Sequence, residues 1–145
     1  MFFITLSGAN IIALLTAVVC SQILGMVWYS NALFGPLWRQ LVGITPDMMV
    51  DPILKKKMRK NMLWGPVISL VTTYVLAVLV NDLLIHTLWS ALGLGLFVWV
   101  GFSGAAVGMN YLYNPKLNLK LFMVDAGYHL ISLMVMSVIL SMFIY

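Results

Sequence analysis

Asp125 and His129 stand four residues apart in the run LFMVDAGYHLISLMVMSVILSMFIY, so on a helix they share one face. A carboxylate and an imidazole one turn apart can hold a proton or a polar solute, and the imidazole changes charge near neutral pH. The chain carries only 4 acidic residues and 2 histidines, so this pair inside an apolar run calls for an explanation. Depth decides what the pair does. Counted inward from Lys120, Asp125 lies about 7 Å and His129 about 13 Å along the helix, which buries both. Counted back from Tyr145 over ~20 residues, the span begins near Ala126, and Asp125 becomes an interfacial helix cap. An ionised aspartate in the membrane costs roughly 2.5–3.5 kcal/mol on insertion scales and needs a partner inside the bundle. His129 is the nearest partner. Asn110, Tyr111, Gln22 and Tyr29 fall in the same half of their spans and would complete a polar cluster with Tyr128. Two readings stay open: a pocket with Asp125 and His129 as proton or ligand groups, or an interfacial aspartate beside a histidine satisfied by an interhelical hydrogen bond. His86 and Asp82 read as a solvent-exposed pair.

The elements that must position these groups are membrane helices. The chain of 145 residues is 63% hydrophobic and 8% charged, where soluble chains run at about 45–50% and about 25%. Apolar stretches at 8–29, 62–84, 88–111 and 121–143 approach or exceed the ~20 residues that cross a bilayer. Their length and lack of alternation exclude strands. The expected fold is all-α, a single integral membrane four-helix bundle with almost no soluble mass. The start MFFITLSGANII has no basic region and no small-residue cleavage site, so it reads as a retained helix. Cys20, the single cysteine, is a small apolar residue of the first span.

Charge gives an orientation. Arg39, Lys55, Lys56, Lys57, Arg59 and Lys60 lie between spans one and two, and Lys116 and Lys120 between spans three and four. The positive-inside rule then places loops 31–61 and 113–120 in the cytoplasm and both termini outside. This distribution, with a net charge of +4, needs no nucleic-acid partner. Anionic headgroups attract such residues by about 1 kcal/mol each. Lys55, Lys56, Lys57, Arg59 and Lys60 are therefore a candidate lipid- or partner-binding patch, or a snorkelling anchor, with Trp38 at the interface. Within the loop, LFGPLWRQLVG reads as an interfacial segment. Thr45 or Asp47 could cap a short turn at Pro46, and Asp51 with Pro52 should open a helix running through KKKMRKNMLW into span two.

A faint repeat links GMVWYSN (Gly25–Asn31) with GMNYLYN (Gly108–Asn114), and Ile68–Leu70 with Ile131–Leu133. It suggests two helical hairpins related by a pseudo-twofold axis along the membrane normal. Span three is glycine-rich and is the closest-approach helix, its pairs Ala91/Gly95, Gly101/Ala105 and Gly104/Gly108 suiting tight packing inside the bundle or a homodimer seam. Ala17, Ser21 and Gly25 form a second small stripe, in span one. The 11 methionines suit adaptable packing.

Gly25, Trp28-Tyr29-Ser30, Leu33-Phe34-Gly35 and Trp38, with Gly127-Tyr128-His129-Leu130, resemble a bacterial membrane family known as domain of unknown function 1761. The likeness covers essentially the whole chain; a proline would be expected after Tyr29-Ser30, where this chain has Asn31. The resemblance implies four spans in the bacterial inner (plasma) membrane and brings no mechanism.

No enzyme is expected, because glutamate, CxxC, HExxH and a phosphate-binding glycine loop are all missing from the sequence. Neither a cofactor nor a metal site is expected. Three functions remain. The first is a homo-oligomeric transporter or channel for protons or a small solute, using Asp125, His129, Tyr128, Asn110, Tyr29 and Gln22. The second is an accessory subunit of a larger membrane complex. The third is a protein that binds a lipid or hydrophobic ligand at a rim containing Trp28 and Trp38.

Overall fold

The computed structural model describes residues 10–113 and 118–143. The expected start of span one at Gly8, Asn114 of the repeat, Lys116 of the second basic loop and Tyr145 lie outside the described residues. Helices α1 (Ile11–Trp28), α2 (Gly35–Leu41), α3 (Pro46–Val50), α4 (Pro52–Met62) and α5 (Trp64–Asp82) make the first half. The second half is α6 (Leu88–Val98), a π-helical segment (Trp99–Gly104), α7 (Ala105–Tyr113) and α8 (Leu119–Ser141). Four stretches, Ile11–Trp28, Pro52–Asp82, Leu88–Tyr113 and Leu119–Ser141, are long and apolar enough to span a bilayer. The all-α membrane four-helix bundle is thus the observed fold.

Short polar side chains start the helices. Asn10 accepts from the Ile12 N–H at 3.0 Å, Thr87 from Ser90 at 3.2 Å, and Asn118 from Leu121 at 2.9 Å. Each such cap is worth about 1 kcal/mol. Thr45 caps α3 and Asp51 caps α4, as the sequence suggests. The helix expected from Pro52 into span two runs over Pro52–Asp82 with a single-residue interruption at Leu63, whose backbone stays helical, between α4 and α5. Pro66 is the physical reason: it has no N–H to offer the Met62 carbonyl, and its ring crowds that carbonyl.

The spans gather on α8. Helices α1, α5, α6, the π segment and α7 all pack against it. In α8, 39% of the span window is buried, against 11% in the third span, so α8 is the central helix and span three an outer one. The core is Leu76 and Val80 of α5, Leu94 of α6, and Leu133, Met136 and Leu140 of α8, with Ala13 and Ala17 of α1. Small residues set the closest approach. A side chain at Gly95 would stand 2.7 Å from the Met134 Cα, so α6 meets the α8 backbone there. At Gly101 a side chain would meet nothing within 4 Å, so of its two expected roles it does not serve close packing inside the bundle.

The two hairpins are not packed alike. α1 packs on α5, and α6 packs on α8, as a twofold relation demands. The cross-pairs differ: α1 packs extensively on α8, whereas α5 and α6 each pack mainly on α8 and make no comparable contact with each other among the described residues. A seam is left between span two and span three. It runs beside the π segment, where the helix gains one residue in a turn. At 3.6 residues per turn, a face through Ala91 and Leu94/Gly95 would continue to Phe102 and Met109. Those residues are exposed, and Ser103, Val107 and Tyr111 turn inward instead.

Gly95→Ala should lower stability in a denaturing-detergent titration by about 1–3 kcal/mol, the usual cost of overpacking. Gly101→Ala should change it by less than about 0.5 kcal/mol. Equal effects would mean that α6 does not approach α8 at Gly95.

Candidate functional site

The site begins with the turn that follows α1. The chain reverses through hydrogen bonds from Phe34 N to Trp28 O and from Gly35 N to Ser30 O, both 3.0 Å. Gly35 is buried, and a Cβ there would collide with the Tyr29 and Ser30 carbonyls, so only glycine closes this turn. The turn packs the Trp28 ring on Phe34 at 4.6 Å. Trp28 Nε1 then donates to the Val124 carbonyl of α8 at 3.1 Å. Gly127 makes room for this indole, since a Cβ there would lie 3.3 Å from it. From span three, Trp99 Nε1 donates to the Ala126 carbonyl at 2.8 Å. Trp28, named for a lipid rim by one reading of the sequence, clasps α8 through its indole N–H.

That clasp brings Tyr29 onto Asp125. The Tyr29 hydroxyl donates to Asp125 Oδ1 at 3.0 Å. The Tyr29 ring also lies 5.4 Å from Tyr128 and 5.5 Å, edge-on, from Trp38. The hydrogen-bond donor to the carboxylate is Tyr29 of span one, a member of the expected cluster, which the Trp28 clasp delivers to it, while His129 lines the same cavity. Asp125 is not a cap: Asn118 caps α8, and Asp125 is half-buried about 10 Å further along. His129 sits at the edge, exposed, with its ring 5.3 Å from that of Tyr128.

Around these groups run three cavities with shared walls. The middle one, about 720 Å³, is lined by Tyr29, Asn110, Asp125, Tyr128 and His129, five of the six residues selected from sequence. The inner one, about 310 Å³, shares Tyr128 and His129 and adds Gln22, Ser69, Thr72, Ser103 and Ser132. Gln22, the sixth, donates from Nε2 to Ser69 Oγ at 2.7 Å across the α1–α5 contact. The third, about 730 Å³, lies on the basic side and shares Tyr29, Trp38, Met58 and Met62 with the middle one. Lys55, Lys56 and Arg59 line it, whereas Lys57 and Lys60 do not.

The hydroxyls of Ser69, Thr72, Ser103 and Ser132 were missed from sequence. Serine and threonine commonly bond back to their own helix, as Thr72 does to the Ile68 carbonyl at 3.0 Å, so their presence gives no direction. Ser103 faces inward only because of the π turn. Among the described residues no group of three His, Cys, Asp or Glu side chains could hold a metal ion. The chemistry on offer is hydrogen bonding from phenols, amides and hydroxyls, with one carboxylate and one imidazole for charge or a proton.

A family model described as a protein of unknown function (DUF1761) matches residues 12–141. No curated protein and no solved structure matches the chain.

The Tyr29–Asp125 bond should appear as non-additivity. In a double-mutant cycle of Tyr29→Phe and Asp125→Asn, unfolding in detergent should give a coupling of about 0.5–3 kcal/mol. A coupling indistinguishable from zero would mean that the bond does not form.

Proposed function

The chain belongs to the DUF1761 family, and from its cleft we propose a transport protein that takes a small polar solute or a proton through Asp125 and His129. The observation that carries this is the convergence of all six candidate residues on two joined cavities that adjoin a basic mouth. By the positive-inside rule that mouth faces the cytoplasm. Polar groups in a membrane interior are costly, and they are kept where they line a pathway. Toward the other side, Leu76, Val80, Leu133, Met136 and Leu140 belong to the apolar core. The cleft is then a half-path, open to the cytoplasm and closed outside. A second copy or a shift of span three would complete it.

A homo-oligomer fits the third span, which is the least enclosed, with room beside Gly93 and Gly101. The same face supports the second reading, an accessory subunit seated against a larger membrane complex. The mass of the particle extracted in mild detergent separates the two.

In a Cys20→Ser background, Ser132→Cys and Ser69→Cys should react with a water-soluble methanethiosulfonate applied from the basic side. Leu76→Cys and Leu140→Cys should not. In proteoliposomes under an imposed pH gradient, the wild type should dissipate the gradient and Asp125→Asn should slow this at least tenfold. Unreactive cysteines at both serines would remove the water-accessible cleft, and an unaltered Asp125→Asn flux would remove the carboxylate from the path.

A further inference from the structure

The cavity on the basic side has a composition that the solute path does not require. Four cations converge on it: Arg39 from α2, and Lys55, Lys56 and Arg59 from α4. No carboxylate lines it. Of the loop's two aspartates, Asp51 is engaged in capping α4, where it accepts from the Ile53 N–H at 2.8 Å. Lys55, Lys56 and Arg59 follow Pro52 at spacings of three, four and seven, so one face of α4 carries them into the cavity. Lys57 and Lys60 lie off that face.

The rest of the lining is apolar and flexible. Met48 and Met49 of α3, with Met58 and Met62 of α4, form the wall next to Ile44. Unbranched thioether side chains adapt to a chain of variable shape. The volume, about 730 Å³, is in the range of specific small-molecule sites, about 300–1,000 Å³, and free phosphate would leave most of it empty. α4 leads directly into span two, so the cavity lies at the level of the headgroups on the basic side.

We propose that this cavity is a binding site for one anionic phospholipid, with its phosphate among Arg39, Lys55, Lys56 and Arg59 and an acyl chain against the methionine wall. Cations without a carboxylate supply the complement to the phosphate, and the methionines supply the complement to the chain. The site does not depend on a solute at Asp125. It shares the Tyr29, Trp38, Met58 and Met62 wall with the middle cavity, so a bound lipid would form part of the roof of that cavity.

The test is native mass spectrometry of the full chain in mild detergent, titrated with phosphatidylglycerol, with phosphatidylcholine of the same chains, and with inorganic phosphate. One phosphatidylglycerol should bind and survive activation, in preference to phosphatidylcholine. The Lys55→Gln/Arg59→Gln variant should bind it about 30-fold more weakly, two basic residues each contributing about a factor of five. Lys57→Gln/Lys60→Gln should bind as the wild type does. Met49→Glu, which sets a carboxylate in the exposed part of the wall, should also weaken binding. Equal losses in the two lysine variants would reduce the effect to diffuse surface charge. Equal binding of phosphatidylcholine would overturn the headgroup assignment. Full competition by millimolar inorganic phosphate would mean that the cavity takes the anion and not the lipid.

Discussion

Two indole N–H groups, donated to the Val124 and Ala126 carbonyls, fix where the spans meet. In hydrocarbon a backbone carbonyl has few alternatives to its own helix, and an extra donor from a neighbour sets the axial register of that neighbour. Trp28 sets α1 and Trp99 sets span three against the same turn of α8. Gly127 on that turn makes room for the Trp28 ring, and Gly25 lets the Tyr128 hydroxyl come close. Everything polar in the cleft is hung from this level of the bundle.

The aromatic string after span one therefore has a structural reason. Trp28 clasps α8, Tyr29 reaches the carboxylate, Phe34 stacks on Trp28, Gly35 closes the turn, and Trp38 walls the cavity. These residues act as one device, built from two segments 96 residues apart in the chain. The Gly127–His129 segment belongs to the same device from the α8 side.

Composition and run length made the four spans legible, and proline with its preceding cap made α3 and α4 legible. Asp125, His129, Tyr128, Tyr29, Asn110 and Gln22 were selectable because each is costly in lipid and lies in the same half of its span. Which of these groups donates to Asp125 was not legible. Proximity in sequence favoured His129, while the actual donor arrives through a tertiary clasp that periodicity does not encode. The seam between spans two and three was equally hidden. A repeat in sequence suggests equivalent packing, but the extensive packing of α1 on α8 has no comparable counterpart between α5 and α6 among the described residues. The helix from Pro52 into span two was legible, and Pro66, through the Met62 carbonyl, accounts for its local interruption at Leu63.

The π segment has a consequence for comparing chains of this kind. It is one residue longer than an α-helix of the same rise, so relatives with a regular third span would be one residue shorter near Trp99–Gly104. A gapless alignment through that region would match the inward column of such a relative to Phe102, when the residue that occupies the place here is Ser103. Covariation and substitution tables for the span should therefore be built on two blocks, one on each side of residues 99–104, each with its own phase.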